Sequence, residues 1–281
     1  MQQHVFSPLG MEYSYTSEEA ALHGGLATGY RWWFGVPVPY RAPYLSDAVP
    51  AAFITASAED MGRYMLSLLG GGTLDGATVL SPAGVAELHR PQTVTTSPGS
   101  SYCLGWRAEK LGEARILRHG GEVSNFMAEM VLVPELGLGV VVLMNVGNGL
   151  VPAVVAQVSR LASDTVRVLL GMPESRRRFS FLGFYASLDI ALKALTLYQG
   201  WSLARLLRPG SAGHDRSTLS LASLVEVVVG VVAFLRLPRM ADAPWSLIRV
   251  YVPDVTSWLA AFFGVSLLKC LCFLFHRSRR L

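Results

Sequence analysis

Polar and apolar positions follow two regimes along these 281 residues. From Met1 to about Gly171, charges, turn residues and apolar residues are interspersed, as in a globular domain. A basic junction at residues 172–178 ends this stretch, and three long apolar runs follow: Phe179–Trp201, Leu219–Leu237 and Val255–Phe275. Each is close to the roughly 20 residues a membrane-spanning helix needs. Each is bounded by Arg, Trp, Pro or Tyr, which suit a bilayer interface. Buried helices of a soluble core share that apolarity. Three in succession, joined by arginine-bearing loops, favour a three-helix transmembrane region at 179–281.

The first 171 residues predict an α+β domain. "ITASAEDMGRYMLSLLGGG" reads as a helix with Ser57 as N-cap and Asp60 placed to bond back to it. Met61, Tyr64, Met65 and Leu68 fall on one face, and Gly70, Gly71 and Gly72 end it. "LSPAGVAELHRPQ" predicts a second helix, capped by Ser81 with Pro82 in its first turn. "SYCLGWRAEK", "ARILRHGG" and "FMAEMVLVPELGLGVVVLMN" are strand-like, the last with a turn at Pro134–Gly137, so at least four antiparallel strands are expected. "VPAVVAQVSRLASDTVRVLLG" predicts a helix covering one sheet face through Val154, Val158, Leu161, Thr165, Val168 and Leu169.

Composition narrows the function classes. The chain is 51% hydrophobic and 16% charged, with a formal charge of +4 carried mostly by arginine. So weak and scattered a charge argues against nucleic acid, while basic apolarity suits a membrane protein. Cys103, Cys270 and Cys272 form no disulfide framework, and His4, His23, His89, His214 and His276 share no ligand spacing, so neither metal nor cofactor is expected. Asp189 and Lys193 lie one helical turn apart and are expected to neutralise each other. Glu226 is expected to pair with Lys193, and Lys269 to snorkel from a helix end. A transport or proton-relay role for these charges is the lesser reading. Arginines divide six against six between the two sides of the expected membrane, which leaves orientation open. The aromatic stretch Trp32, Trp33 and Phe34 suits a cleft rim, a membrane surface or, by preference, packing of its loop against the domain.

"FSPLGM", "ITASAEDMGRYMLSLL", "LGWRAE" and "HGGEVSNFMAEMVLVPELGLGVVVLMN" occur in an order that resembles the serine beta-lactamase-like hydrolases. That family includes class C beta-lactamases, penicillin-binding proteins, D-alanyl-D-alanine carboxypeptidases and related esterases. The resemblance covers about Val5–Gly171 and implies the C-terminal part of such a domain, with a partial antiparallel sheet and covering helices. It implies hydrolysis of an amide or ester through an acyl-enzyme, on a peptide, beta-lactam or ester substrate, on the extracytoplasmic side of a multi-pass membrane protein. His119, Gly120 and Gly121 match the family's Lys-Thr-Gly-type triplet on a cleft-lining strand. By that resemblance His119 orients the substrate, the glycines admit its backbone, and the amide of Glu122 is an oxyanion donor.

The family's other two motifs are absent from the globular part. The lone Ser-x-x-Lys string is Ser266–Lys269, inside an apolar run, and no Tyr or Ser precedes an Asn by two positions. The expectation is therefore a chain inactive by itself, beginning after the nucleophile and completed by a missing N-terminal polypeptide. The alternatives are a non-catalytic, membrane-anchored binding or accessory protein of that fold, and a protein whose work is done by its helices.

Overall fold

The computed structural model describes every residue except Pro50, 96–98, 148–151, 174–180, 209–212 and 279–281. Arg176, Arg177 and Arg178 of the junction, and Arg279 and Arg280, lie outside the described residues. Contacts divide the chain into two compact units. One is Met1–Arg31 with Val38–Arg178, and the other is Trp32–Pro37 with Phe179–Leu281.

The first unit starts with a π-helical turn at Gln2–Phe6, which buries Phe6. Along the chain then come β1 (Ser14–Tyr15), α1 (Glu18–His23), β2 (Tyr30–Trp33) and β3 (Val36–Pro39), of which Trp32–Pro37 counts with the second unit, and β4 (Thr55–Ala56), antiparallel to β1. The expected helix follows as α2 (Ala58–Leu69), and Ser57 Oγ caps it by accepting from the Asp60 amide at 3.1 Å. The expected return bond is not made. The Asp60 carboxylate instead accepts from the Tyr13 amide and the Ser14 hydroxyl, both at 2.7 Å. At 2% exposure, it fastens the N-terminal segment rather than its own helix end. Past α2, β5 (Thr73–Leu74) and β6 (Ala77–Thr78) form a small hairpin, and α3 (Pro82–Leu88) is capped by Ser81 as expected. Gly72 admits no side chain: its φ is +93°, and a Cβ would lie 2.0 Å from the Leu80 carbonyl oxygen.

The main sheet is an antiparallel meander of β7 (Thr93–Val94), β8 (Ser101–Tyr102), β9 (Arg107–Leu111), β10 (Ala114–Val123), β11 (Phe126–Val133) and β12 (Leu138–Met144), side by side in sequence order. "SYCLGWRAEK" is two strands, not one. Gly105 turns the chain at φ +77°, and the Cys103 amide bonds the Trp106 carbonyl. The turn at Pro134–Gly137 forms as read, with Gly137 left-handed. One face of the sheet packs Leu117, Leu132, Trp106 and Cys103 against Met65 and Leu68 of α2 and Val85 of α3.

After the short β13 (Val146–Gly147), which pairs in parallel with β2, α4 (Pro152–Leu169) covers the other face. It buries Val158, Ala162 and Val166, the last two against Leu111, Ile116, Val131 and Val133. The expected stripe is thus rotated: Leu161, Thr165, Val168 and Leu169 are exposed, and the side chain of Val154 lies outside the described residues. Ala162 explains the difference. Its small side chain lets the helix axis approach the sheet, and the i, i+4, i+8 row through it becomes the contact line.

His89, one of the histidines that share no ligand spacing, is 8% exposed and meets Trp106 edge-on at 5.9 Å. Its Nε2 is buried without a partner. Burial, and then the Arg115 guanidinium, push its pKa below the usual histidine range. The unfolded chain takes up this proton near pH 6.5, before the folded one does. Stability from neutral His89 is therefore complete above about pH 6.5 and is lost as pH falls toward the folded pKa, by at most about 1.4 kcal/mol per unit. Urea unfolding of the first unit between pH 7 and 5 is expected to show a flatter pH dependence for His89→Phe than for the parent.

The second unit contains α5 (Phe181–Leu207), α6 (Gly213–Met240), α7 (Trp245–Tyr251) and α8 (Pro253–Ser278). The three expected helices form, and α7 is an addition that the sequence reading did not contain. Among the described residues, two stretches are long and apolar enough to cross a membrane, Leu221–Met240 and Pro253–Cys272. Only 6% and 11% of the two qualifying stretches are buried, unlike a soluble core helix. α6 and α8 approach closely at Gly230, where a Cβ would sit 2.6 Å from the Phe263 ring.

The charges in these helices pair differently from expectation. Glu226 takes Lys269, not Lys193, at 2.9 Å. Lys269 does not snorkel: it is 2% exposed and also donates to Ser202 Oγ. Gln199 and Ser266 donate to the same Glu226 oxygen at 3.0 and 2.8 Å. Asp189 and Lys193 make no ion pair with each other, and Asp189 Oδ1 is buried without a partner. The Trp32–Pro37 turn groups with this unit: Trp32 lies 5.9 Å from the Tyr185 ring, and the Phe34 amide donates to Asp254 Oδ2. The sequence-based preference for packing against the globular domain is corrected on this point.

Candidate functional site

The stretch from His119 to Glu122 ends β10. This strand pairs with β9 from Ala114 to Arg118 and with β11 from Leu117 to Val123. The β9 ladder stops at the Arg118–Arg107 pair. From His119 onward β10 has, among the described residues, a strand partner on one side only, and its outward edge is placed to meet an extended ligand. His119, Gly120, Gly121 and Glu122 are all exposed there.

Alternation along the strand sorts their side chains. His119 and Gly121 share the face of Leu117, which is the face packed by α2 and α3. Gly120 and Glu122 share the face of Arg118. Arg118 is clamped: its Nε donates to Glu129 Oε1 at 2.8 Å, one terminal nitrogen reaches the same oxygen at 2.6 Å, and the other lies 3.7 Å from Glu109. Ser159 of α4 donates to the second Glu129 oxygen at 3.0 Å. This buried carboxylate fixes the residue immediately before His119.

The two glycines have different reasons. A Cβ on Gly120 would lie 2.9 Å from Glu129 Oε2, so that position is kept bare by the clamp. A Cβ on Gly121 would meet only the Ala128 methyl, at an ordinary 3.6 Å. Gly121, not Gly120, is the open position where an approaching backbone gains from the missing side chain. Desolvation raises the Glu122 carboxyl above the usual glutamate range.

The β10–β11 hairpin closes at the Val123–Phe126 pair, with Ser124 and Asn125 buried in its turn. Asn125 Nδ2 donates to the Tyr40 carbonyl at 2.9 Å. Gly29 and Gly147 pack directly on this turn: a Cβ at either would come within 2.3 Å of Asn125 Nδ2 and 2.5 Å of the Val123 oxygen, respectively. None of Asn125, Gly29, Gly147 or Glu129 was singled out from sequence. Glu129, a carboxylate inside the run "FMAEMVLV", was the available signal, since a charge there demands a partner.

Ser266 and Lys269 belong to α8 of the second unit, with 0% and 2% exposure. Ser266 donates to Glu226 and Lys269 bonds Glu226 and Ser202, so both are committed to the helical network. Among the described residues, no group of three His, Cys, Asp or Glu side chains is placed to hold a metal ion.

Residues 1–162 match the family model described as Beta-lactamase. The unguisins hydrolase ungD' of Aspergillus campestris is 31% identical over 156 residues, covering 51% of this chain and 28% of that protein. The unguisins hydrolase ungD of Aspergillus violaceofuscus is 27% identical over 169 residues, covering 51% and 29%. The chain thus spans little more than a quarter of the length of these relatives. The octameric penicillin-binding protein homologue from Pyrococcus abyssi superposes with a TM-score of 0.51 at 23% identity, over 62% of this chain and 37% of that one, a likeness of fold.

Proposed function

The chain belongs to the beta-lactamase family, and from that premise we propose that residues 1–171 are the cleft-wall part of a serine hydrolase acting on an amide or ester bond through an acyl-enzyme. The observation that carries this reading is the one-sided end of β10. There the family triplet's counterpart, His119-Gly120-Gly121, precedes the Glu122 amide on an exposed strand edge. In this assignment His119 orients a substrate carboxylate or a proton-accepting tyrosine, Gly121 admits the substrate backbone, and the Glu122 amide donates to the oxyanion. A preorganised donor of that kind lowers the barrier by about 3 kcal/mol. The substrate class is a peptide, beta-lactam or simple ester, and the hydrolase names of the two fungal relatives favour hydrolysis over other acyl transfers.

The first unit has no Ser-x-x-Lys and no Tyr-x-Asn, so the nucleophile and its base come from a second polypeptide segment in this reading. Without them only a small residue of catalysis remains. Residues 172–178 then act as a junction, and 179–281 attach the protein to a lipid bilayer as a multi-pass region with the hydrolase part outside the cytoplasm. The two apolar stretches in α6 and α8 support the attachment.

The missing motifs also favour a second reading, a membrane-anchored binding or accessory protein of this fold. Covalent probes separate the two. The 281-residue chain is expected to show no serine labelled by a fluorophosphonate or a penicillin. Adding in trans a polypeptide that carries the family's Ser-x-x-Lys and Tyr-x-Asn is expected to restore labelling, and His119→Ala to lower the restored rate about 100-fold or more. Silence of the complemented protein supports the accessory reading. Acylation of the chain alone overturns the assignment of an absent nucleophile.

A further inference from the structure

A pocket of about 310 Å³ lies within the second unit, lined by Phe34, Asp189, Leu192, Lys193, Thr196 and Trp258. Its walls are mainly apolar, but it contains one carboxylate and one ammonium. Those charges, on successive turns of α5, are not spent on each other: the ion pair predicted from their spacing is not formed, and Asp189 Oδ1 is buried with no donor. The remaining polar groups are already occupied. Trp258 Nε1 donates to Thr196 Oγ1 at 2.9 Å, and Thr196 donates to the Leu192 carbonyl at 2.8 Å. Phe34 is held in place with a left-handed φ of 46° by the hydrogen bond its backbone N–H donates to Asp254 Oδ2 at 2.8 Å. Asp254 also accepts from the Val255 amide.

We propose that this pocket binds a zwitterionic headgroup with a primary ammonium and a phosphate, the ammonium on Asp189 and the phosphate on Lys193. The buried acceptor calls for a group that gives an N–H, and the aromatic walls of Phe34 and Trp258 suit a cation beside them. A quaternary ammonium satisfies the walls but has no hydrogen for Asp189 Oδ1, so a choline headgroup binds more weakly. An anion alone meets Lys193 and leaves Asp189 repelling it. Trp258 lies in the second turn of α8, near the start of a helix apolar enough to span a bilayer, the level at which tryptophan meets lipid headgroups. The source is therefore a phosphoethanolamine lipid. This assignment is independent of the hydrolase reading; its lipid source rests on the proposed membrane attachment.

The test uses the full chain in two arms. In nanodiscs of mixed composition, lipids retained after detergent extraction are counted by native mass spectrometry. Phosphatidylethanolamine is expected to be retained at least 10-fold over phosphatidylcholine and phosphatidylglycerol, and Asp189→Asn and Lys193→Gln each to abolish the preference while helical circular dichroism is unchanged. In detergent, soluble phosphoethanolamine is titrated by calorimetry. Binding there that is lost in Asp189→Asn, without any lipid preference, upholds the headgroup chemistry and overturns the lipid source. Equal retention of the three lipids together with no soluble binding, or a preference indifferent to both substitutions, overturns the site.

Discussion

Replacing Lys269 by alanine is expected to lower the stability of the helical unit by about 3–5 kcal/mol, the cost of leaving a buried partner charge uncompensated. Glu226 has 13% of its side chain exposed and Lys269 has 2%. The Glu226 oxygen that faces Lys269 also accepts from Gln199 and Ser266, neither of which carries charge. Removing the ammonium leaves a carboxylate that three apolar helices cannot solvate. The double substitution Glu226→Gln with Lys269→Met is expected to recover most of the loss, since replacing both charges removes the desolvation penalty too. Thermal unfolding in detergent, followed by helical circular dichroism, reads both. A Lys269→Ala protein that melts with the parent shows that the pair contributes nothing.

Glu129→Ala should cost the first unit about 2–3 kcal/mol, less than a fully enclosed pair because Arg118 keeps 20% of its side chain in water. The change removes two guanidinium contacts and strands the Ser159 hydroxyl. Glu129→Gln keeps a carbonyl oxygen for the guanidinium and turns an N–H donor toward the Ser159 hydroxyl, which then accepts, and is expected to lose less than half as much. Urea unfolding of the two variants measures this through the midpoint at constant slope. Arg118 also stands next to His119 on β10, so in the complemented enzyme Glu129→Ala is expected to lower turnover beyond any loss of folded protein. Turnover per folded molecule equal to the parent sinks that link.

Local chemistry was the legible part of the sequence. Ser57 and Ser81 cap helices because a hydroxyl three residues before a free amide acts over one turn, and the Pro134–Gly137 turn is encoded within four residues. What the sequence withheld was set by distant partners. Asp60 sits in the pattern of a capping box, yet Tyr13 and Ser14, some 46 residues earlier, claim its carboxylate. The α4 stripe was misplaced because periodicity ranks large side chains first, whereas the contact line runs through Ala162. Lys193 was the partner expected for Glu226, and the packing of α6 against α8 brings Lys269 to it instead. At the candidate site the His119–Glu122 run was readable, but the clamp behind it, Arg118 with Glu129, became visible only once β10 and β11 were in register.

The bare end of β10 has one more consequence. An exposed strand margin is ordinarily an invitation to other chains, which extend it rung by rung into insoluble assemblies. Here that margin carries Gly120 and Gly121, residues with little taste for extended pairing and no side chains to interlock. An edge left open for the proposed substrate is thereby a poor seed for fibres, and substituting valine at Gly121 trades that protection for stickiness.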